Sequence, residues 1–301
     1  MRASGWILFT VLAATGIFTG CRPPEKLPPP LRFNKPLHAL QLHPVSCSPE
    51  KLLLRRVERT FLFRPGSSVV QVSGIPVFLP EAISHNGNNF WSLGEYSCKN
   101  ILLPLTGKKL PPVDRILIDP GHGGHDTGAV AADGTTEKEL NLQLSQLLAA
   151  ELKKRGYTVF LTRASDVFLS LDERPQLIEK YQAGLFISLH HNAAKNPEAS
   201  GHEIYVYSSF PAAGDWQCAD SIPFAFAAAG ALKLLPELPV RGVKTARFKV
   251  LRQAPCPAIL IEAGFVSNSA EIKLLKQPEF QRKFAEKLAG FLPVRPVTPA
   301  Q

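Results

Sequence analysis

Ile116-Leu-Ile-Asp-Pro-Gly-His-Gly-Gly-His-Asp126 passes from an apolar run through a proline into a glycine-rich turn that presents two histidines. A short apolar run stopped by Pro and Gly reads as a buried strand ending in a tight turn. Open α/β sheets gather their ligands at the carboxyl ends of strands. This turn supplies imidazole and carboxylate there, and its spacing matches neither G-x-x-x-x-G-K-[ST] nor G-x-G-x-x-G, which argues against a phosphate cradle.

Working outward toward the C-terminus, Thr136-Glu-Lys-Glu139 has the pattern of a capping box, and Leu140, Leu144, Leu147, Leu148 and Leu152 recur at helical spacing until Gly156. Further strands are expected at Tyr157 to Leu161, Leu185 to Leu189, Glu203 to Tyr207 and Ala258 to Ile261, with a last helix over Ala270 to Phe291 interrupted near Pro278. Strands alternating with helices predict an α/β domain over 113–292. Residues 293–301 form a polar, proline-bearing tail expected to be disordered.

Toward the N-terminus, residues 40–112 hold short β-like runs at Thr60 to Phe63, Ser68 to Val72 and Pro76 to Leu79, separated by turn signals at Pro65-Gly66, Ser73-Gly74 and Asn86-Gly87. A small β-rich module is expected, with no chemistry of its own. Met1-Arg2 followed by the apolar stretch Trp6 to Phe18 reads as a secretory signal over 1–20. Its end, Phe18-Thr-Gly-Cys21, resembles the lipobox of bacterial lipoproteins, which predicts lipidation of Cys21. Residues 21–39 are proline-rich and read as a stiff tether. Beyond Cys21, export permits disulfides among Cys47, Cys98, Cys218 and Cys256, and the three pairings and the reduced state all remain open. The 301 residues carry 45% hydrophobic and 20% charged side chains, enough to bury a real core. The formal net charge of +9 favours anionic partners, but with no arginine-rich run or nucleic-acid module those partners are a membrane or an anionic polymer.

Three further positions bear chemistry. Glu137 stands in the first turn of the predicted helix, close enough in sequence for the loop after His122 to bring both to one site. Phe186-Ile-Ser-Leu-His-His-Asn192 ends a buried-looking strand with two histidines on opposite faces, so one of the pair serves a common site. Ile259-Leu-Ile-Glu-Ala-Gly-Phe265 delivers the carboxylate of Glu262 at the end of an apolar strand, a costly placement unless it binds something. Two imidazoles and a carboxylate leave an open position on a tetrahedral Zn²⁺, and a spare carboxylate can act as base.

With these blocks stand Glu137-Lys138, Leu161-Thr-Arg163 with Asp166, Leu169-Ser-Leu171 with Arg174, Gly201-His-Glu-Ile-Tyr205 and Val250-Leu-Arg252. Together, over about Arg115 to Phe291, the chain resembles the zinc-dependent N-acetylmuramoyl-L-alanine amidases of bacterial cell walls. The resemblance implies a twisted, mostly parallel sheet flanked by helices. It implies that His122, Glu137 and His190 bind Zn²⁺, and that Glu262 is the catalytic carboxylate. It implies hydrolysis of the amide between N-acetylmuramic acid and L-alanine in peptidoglycan, in cell-wall remodelling or daughter-cell separation. Divisome or activator proteins are partner classes, and the chain is expected as a monomer in the periplasm, anchored by lipid to the outer membrane rather than the inner. His191 stands where the family has a small residue and is expected either to crowd the site or to compete for metal. In some relatives a long helical insertion after the Gly201 block plugs the site until an activator moves it. The stretch from Tyr207 to Arg241 has no extra acidic arm, so activity without an activator is expected. His125, Asp126, Arg163 and Arg174 are read as structural rather than substrate-binding.

Two rivals are weighed. Ser48-Pro-Glu-Lys51, Ser84-His-Asn86 and Lys244-Thr-Ala246 approach the motifs of a penicillin-binding serine peptidase, a β-lactam-sensitive second activity. The other is a lipoprotein that binds cell wall without catalysis.

Overall fold

The computed structural model describes residues 31–295 except 87–88, 108 and 212–214. The expectations for the signal segment, Cys21, the tether before residue 31 and the tail after 295 lie outside the described residues; within them, 31–39 is not the tether expected, since Arg32–Phe33 is a strand and Lys35–His38 a helix that buries Leu37, and 293–295 is held by Tyr157 OH on Pro293 O and Arg295 N–H on Arg155 O.

The chain begins with β1 (Arg32–Phe33), α1 (Lys35–His38), β2 (His43–Ser48), β3 (Lys51–Arg56), β4 (Arg59–Phe63), β5 (Val69–Val72), β6 (Ile75–Phe78), β7 (Ser84–His85) and β8 (Phe90–Ser92). A π-helical turn at Ser97–Leu102 and a 3-10 turn at Pro104–Thr106 lead into the second part. There β9 (Arg115–Pro120), α2 (Glu137–Lys154), β10 (Thr158–Leu161), α3 (Glu173–Tyr181), β11 (Leu185–Asn192), β12 (His202–Tyr207), α4 (Trp216–Leu232), β13 (Val240–Ala246), α5 (Lys249–Arg252), β14 (Ala258–Phe265), α6 (Ser269–Leu275) and α7 (Pro278–Ala289) follow.

Eleven strands form one mixed sheet in the order β10-β9-β11-β14-β12-β13-β6-β5-β4-β3-β2, and β1, β8 and β7 form a small second sheet. From β10 to β14 all neighbours are parallel. Polarity reverses between β14 and β12, and β13 then runs parallel with β12. The expected α/β architecture, mostly parallel in its second part, is therefore present. β9, β11 and β14 are apolar on both faces because both are covered. Ile116, Ile118, Ile187, Leu189, Ile259 and Ile261 belong to the core that includes α2, α4 and α7, whereas Leu117, Phe186 and Leu260 pack with α3 and α5. Glu139 accepts the backbone N–H of Thr136 at 3.3 Å, as the capping pattern predicts, and Leu140, Leu144, Leu148 and Leu152 form the buried stripe of α2. The last helix is broken before Pro278 into α6 and α7.

The first part extends the same sheet. Val77 of β6 pairs in parallel with Val243 of β13. β5 and β6 alternate buried and half-buried residues, and Val70, Val72, Ile75 and Val77 join one hydrophobic core with Val243, Ile204 and α4. A polar seam runs across the junction, where the Tyr96 hydroxyl donates to Asp215 Oδ2 at 2.6 Å and lies 2.6 Å from Ser208 Oγ. Cys47, Cys98, Cys218 and Cys256 are all free thiols, and only Cys47 is exposed.

Candidate metal centre

The turn after β9 is built from buried charge. Asp119 and Arg174 are almost wholly buried and pair at 2.7 Å, and Asp119 also accepts from Thr162 at 2.6 Å and Ser188 at 2.9 Å. The two guanidiniums then hold the backbone carbonyls that follow. Pro120 O accepts from Arg163 Nε and Arg174 Nη1, Gly121 O from Arg163 Nη2 at 2.9 Å, and His122 O from Arg174 Nη2 at 3.0 Å. Held this way, His122 adopts a left-handed backbone with φ of 61°, rare for a residue with a Cβ and found where the surroundings over-determine it. Gly121 is required because a Cβ there would lie 2.2 Å from the His190 ring. Gly128, itself at φ of 64°, faces the same constraint, with Glu137 Oε2 at 2.6 Å.

Three sequence-predicted residues meet over this turn. Glu137, buried at the start of α2, places Oε2 at 3.2 Å from His122 Nε2 and Oε1 at 2.9 Å from His190 Nδ1. Its remaining acceptor sites are filled by Ala129 N–H at 3.0 Å, His191 N–H at 3.2 Å and Asn141 Nδ2 at 3.2 Å. Burial opposes its charge, but the two imidazoles hold its carboxyl far below the usual range. Burial likewise lowers His122, yet Glu137 and Asp126 prevail and hold it up at about 9. Asp126 Oδ2 lies 2.8 Å from His122 Nδ1, which leaves Nε2 facing Glu137. One ligand atom from each of His122, Glu137 and His190 lies within 4.8 Å of the others. Two imidazoles and a carboxylate converging on one point, with an outer carboxylate orienting one ring, make a donor set suited to a divalent cation.

Glu262 stands beside this set. It is the register partner of His190 on β11 and of Glu203 on β12. Its Oε2 is buried without a hydrogen-bond partner among the described residues. Burial chiefly, then the charges of Glu137 and Glu203 set against His190, push its carboxyl up to about 7. A carboxylate so tuned exchanges protons near neutrality.

His191 does not crowd the cluster. Its ring is buried, Nδ1 lies 2.7 Å from Asn141 Oδ1, and burial lowers it to about 4. The His125 ring lies 4.1 Å from that of Phe168, tilted by 33°. Ser48 and Lys51 pair across the β2–β3 hairpin, while Lys244 lies in β13, five strand spacings from Ser48, or roughly 24 Å at ~4.8 Å per strand. The serine-peptidase patterns do not converge. What the sequence reading missed is the role of Glu203. It accepts from Tyr205 OH at 2.6 Å, Asn192 at 3.1 Å, Arg241 Nε at 2.6 Å and Lys244 Nζ at 2.5 Å, directly next to Glu262. Only its place in the Gly201 block hinted at it.

Residues 116–292 match the family Amidase_3, described as N-acetylmuramoyl-L-alanine amidase. The chain is 33% identical over 205 residues to the N-acetylmuramoyl-L-alanine amidase LytC of Bacillus subtilis, covering 67% of this chain and 40% of that one. It is 31% identical over 213 residues to the amidase AmiC of Escherichia coli O6:H1, covering 58% and 51%. The chain thus spans about half or less of these relatives. Among solved structures, the amidase AmiC2 of Nostoc punctiforme superposes with a TM-score of 0.54 at 32% identity, covering 59% of this chain and 94% of that one.

Proposed function

Because the chain belongs to the N-acetylmuramoyl-L-alanine amidase family, we propose that it hydrolyses the amide joining N-acetylmuramic acid to L-alanine in peptidoglycan, with Zn²⁺ held by His122, Glu137 and His190. One observation carries the reading: an unpartnered carboxylate oxygen of Glu262 lies next to a converged His, Glu and His donor set. Bound there, Zn²⁺ lowers the pKa of a coordinated water toward ~7 and polarises the scissile carbonyl. The chain's own residues do the rest. Asp126 fixes the His122 ring so that Nε2 offers its lone pair. Glu262 takes the proton of the attacking water and returns it to the alanine nitrogen as the C–N bond breaks, so no covalent enzyme intermediate is needed. The partners of Glu203 hold that neighbouring carboxylate in place. In a digest of purified peptidoglycan by the chain from residue 31 onward, stem peptides beginning with L-alanine appear. Chelator abolishes their release and Zn²⁺ restores it; release that persists through exhaustive chelation overturns the reading.

The sequence supports the setting: an exported lipoprotein acylated at Cys21, held at the outer membrane facing the periplasm, and acting in wall remodelling or daughter-cell separation. Incorporation of labelled fatty acid, lost in Cys21→Ser, checks the anchor. Self-sufficiency without an activator is supported by α4, which fills the stretch between β12 and β13 and buries Phe224, Ala225, Ala228 and Leu232 in the core. Turnover of the purified protein that rises steeply only on adding a partner would contradict it.

A further inference from the structure

The cluster around Glu203 leaves one cationic edge exposed and unfilled. Arg241 Nε and Lys244 Nζ both reach the same oxygen, Oε1, while Oε2 is satisfied by Tyr205 and Asn192. Two cations therefore share one carboxylate oxygen, with the carboxyls of Glu262 and Glu271 nearby, the latter pushed up by burial against the charge of Arg241. The Arg241 side chain is 40% exposed and lies over the Phe265 ring at 5.3 Å. Its Nε is spent on Glu203 and its Nη1 makes one long bond to Ser200 O at 3.3 Å, while Nη2 has no hydrogen-bond acceptor among the described residues. The anchored Nε fixes the guanidinium plane and leaves its outer edge for a planar anion. Arg241 lies at the Glu262 end of the sheet, because Glu203, which it holds, is the register partner of Glu262, and Phe265, beneath its guanidinium, is that of Asn192. On the other flank, the turn carrying His122 is bordered by exposed Val167, Phe168 and Leu171. The centre is thus cationic on one side and apolar on the other.

We propose that Arg241 and Lys244 form a subsite beside Glu262 that binds a carboxylate of the substrate's peptide stem, so that the stem lies over β12 and β13. The neutral glycan then falls to the apolar flank. This rests on the amidase reading, since the peptide stem is the part of that substrate that bears carboxylates.

The test compares three synthetic muramoyl peptides: one with free carboxylates, one amidated at the acidic second residue, and one amidated at the stem's terminal carboxylate. With the native chain, one of the amidated substrates should show a KM about five- to tenfold higher, the scale of one partly exposed charge-assisted hydrogen bond, and which one identifies the carboxylate bound. R241Q and K244Q should erase that preference with a larger effect on KM than on kcat, and R241K, whose one nitrogen must serve both Glu203 and the substrate, should weaken it without erasing it. Equal KM values for all three substrates in the native chain, or an undiminished preference in both Gln variants, would show that the cations serve only Glu203. If no substrate is cleaved, the amidase reading fails while the subsite stays testable. An NMR titration with L-Ala-D-Glu and its amide then decides it: charge-selective binding lost in R241Q upholds the subsite, and indifference to the charge overturns it.

Discussion

Glu262 carries two predictions of its own. A base must be ionised to accept a proton, so kcat/KM should rise with pH through about 7, and Glu262→Gln should lower turnover by about 10²- to 10⁴-fold while zinc content is unchanged. Near-normal turnover in that variant would remove Glu262 from the chemistry. The same group affects stability with the opposite sign. A carboxyl whose pKa is raised by folding binds its proton more tightly in the native state, so stability falls as pH rises from the ordinary carboxylate range through about 7. Chelator-treated native protein should lose melting temperature over that window relative to Glu262→Gln, and parallel melting curves would contradict the buried, unpartnered setting. At this scale the sequence was informative about identity: His122, Glu137 and His190 converge as the family resemblance implied, and Glu262 stood out because a carboxylate ending an apolar strand is costly unless used. It marked Glu203 only by its place in the Gly201 block, because that residue's significance lies in which strands flank β14, and no local pattern encodes that.

The turn between β9 and α2 works as one element, and its parts should fail together. Arg174→Ala strands Asp119 as an unpaired buried charge, with an expected loss of about 3–5 kcal/mol in urea unfolding. Arg174→Lys keeps the charge but cannot span Asp119, Pro120, His122 and Leu169 at once, so it should hold stability better than metal affinity. Gly121→Ala places a methyl against the His190 ring and should weaken zinc binding at least tenfold in a competition titration; unchanged affinity would mean the ring is free to move. Legibility at the element scale followed periodicity. β9, β11 and β14 are continuous apolar runs and α2 has a regular leucine stripe, so all four were visible. β13, Val-Arg-Gly-Val-Lys-Thr-Ala over 240–246, interrupts its alternation with glycine and two cations, and Lys244 drew notice only as part of a misleading short motif. The two cations are the residues that hold Glu203 beside Glu262.

Across the whole molecule, the first part and the catalytic strands share a sheet and a core, and they should unfold as one. Trp91 is fully buried in the small sheet, whereas far-UV circular dichroism is dominated by helices of the second part. In a Trp216→Phe variant of the chain from residue 31 onward, urea midpoints from Trp91 fluorescence and from dichroism should coincide; separated midpoints would reveal two independent units. The sequence suggested a module before the catalytic strands, but pairing of β6 with β13 is a long-range event that local signals cannot announce. The strand order also has a consequence in time. β14 is the last strand along the chain, yet it lies in the interior of the sheet between β11 and β12. As the chain emerges during synthesis, the hairpins of β2 to β6 can zip at once, but the two halves of the sheet stay apart until residues 258–265 arrive between them. Glu262 travels on that strand. A nascent or C-terminally shortened chain therefore lacks its proton carrier and its central strand together, so the ability to cut is acquired only in the final stage of folding.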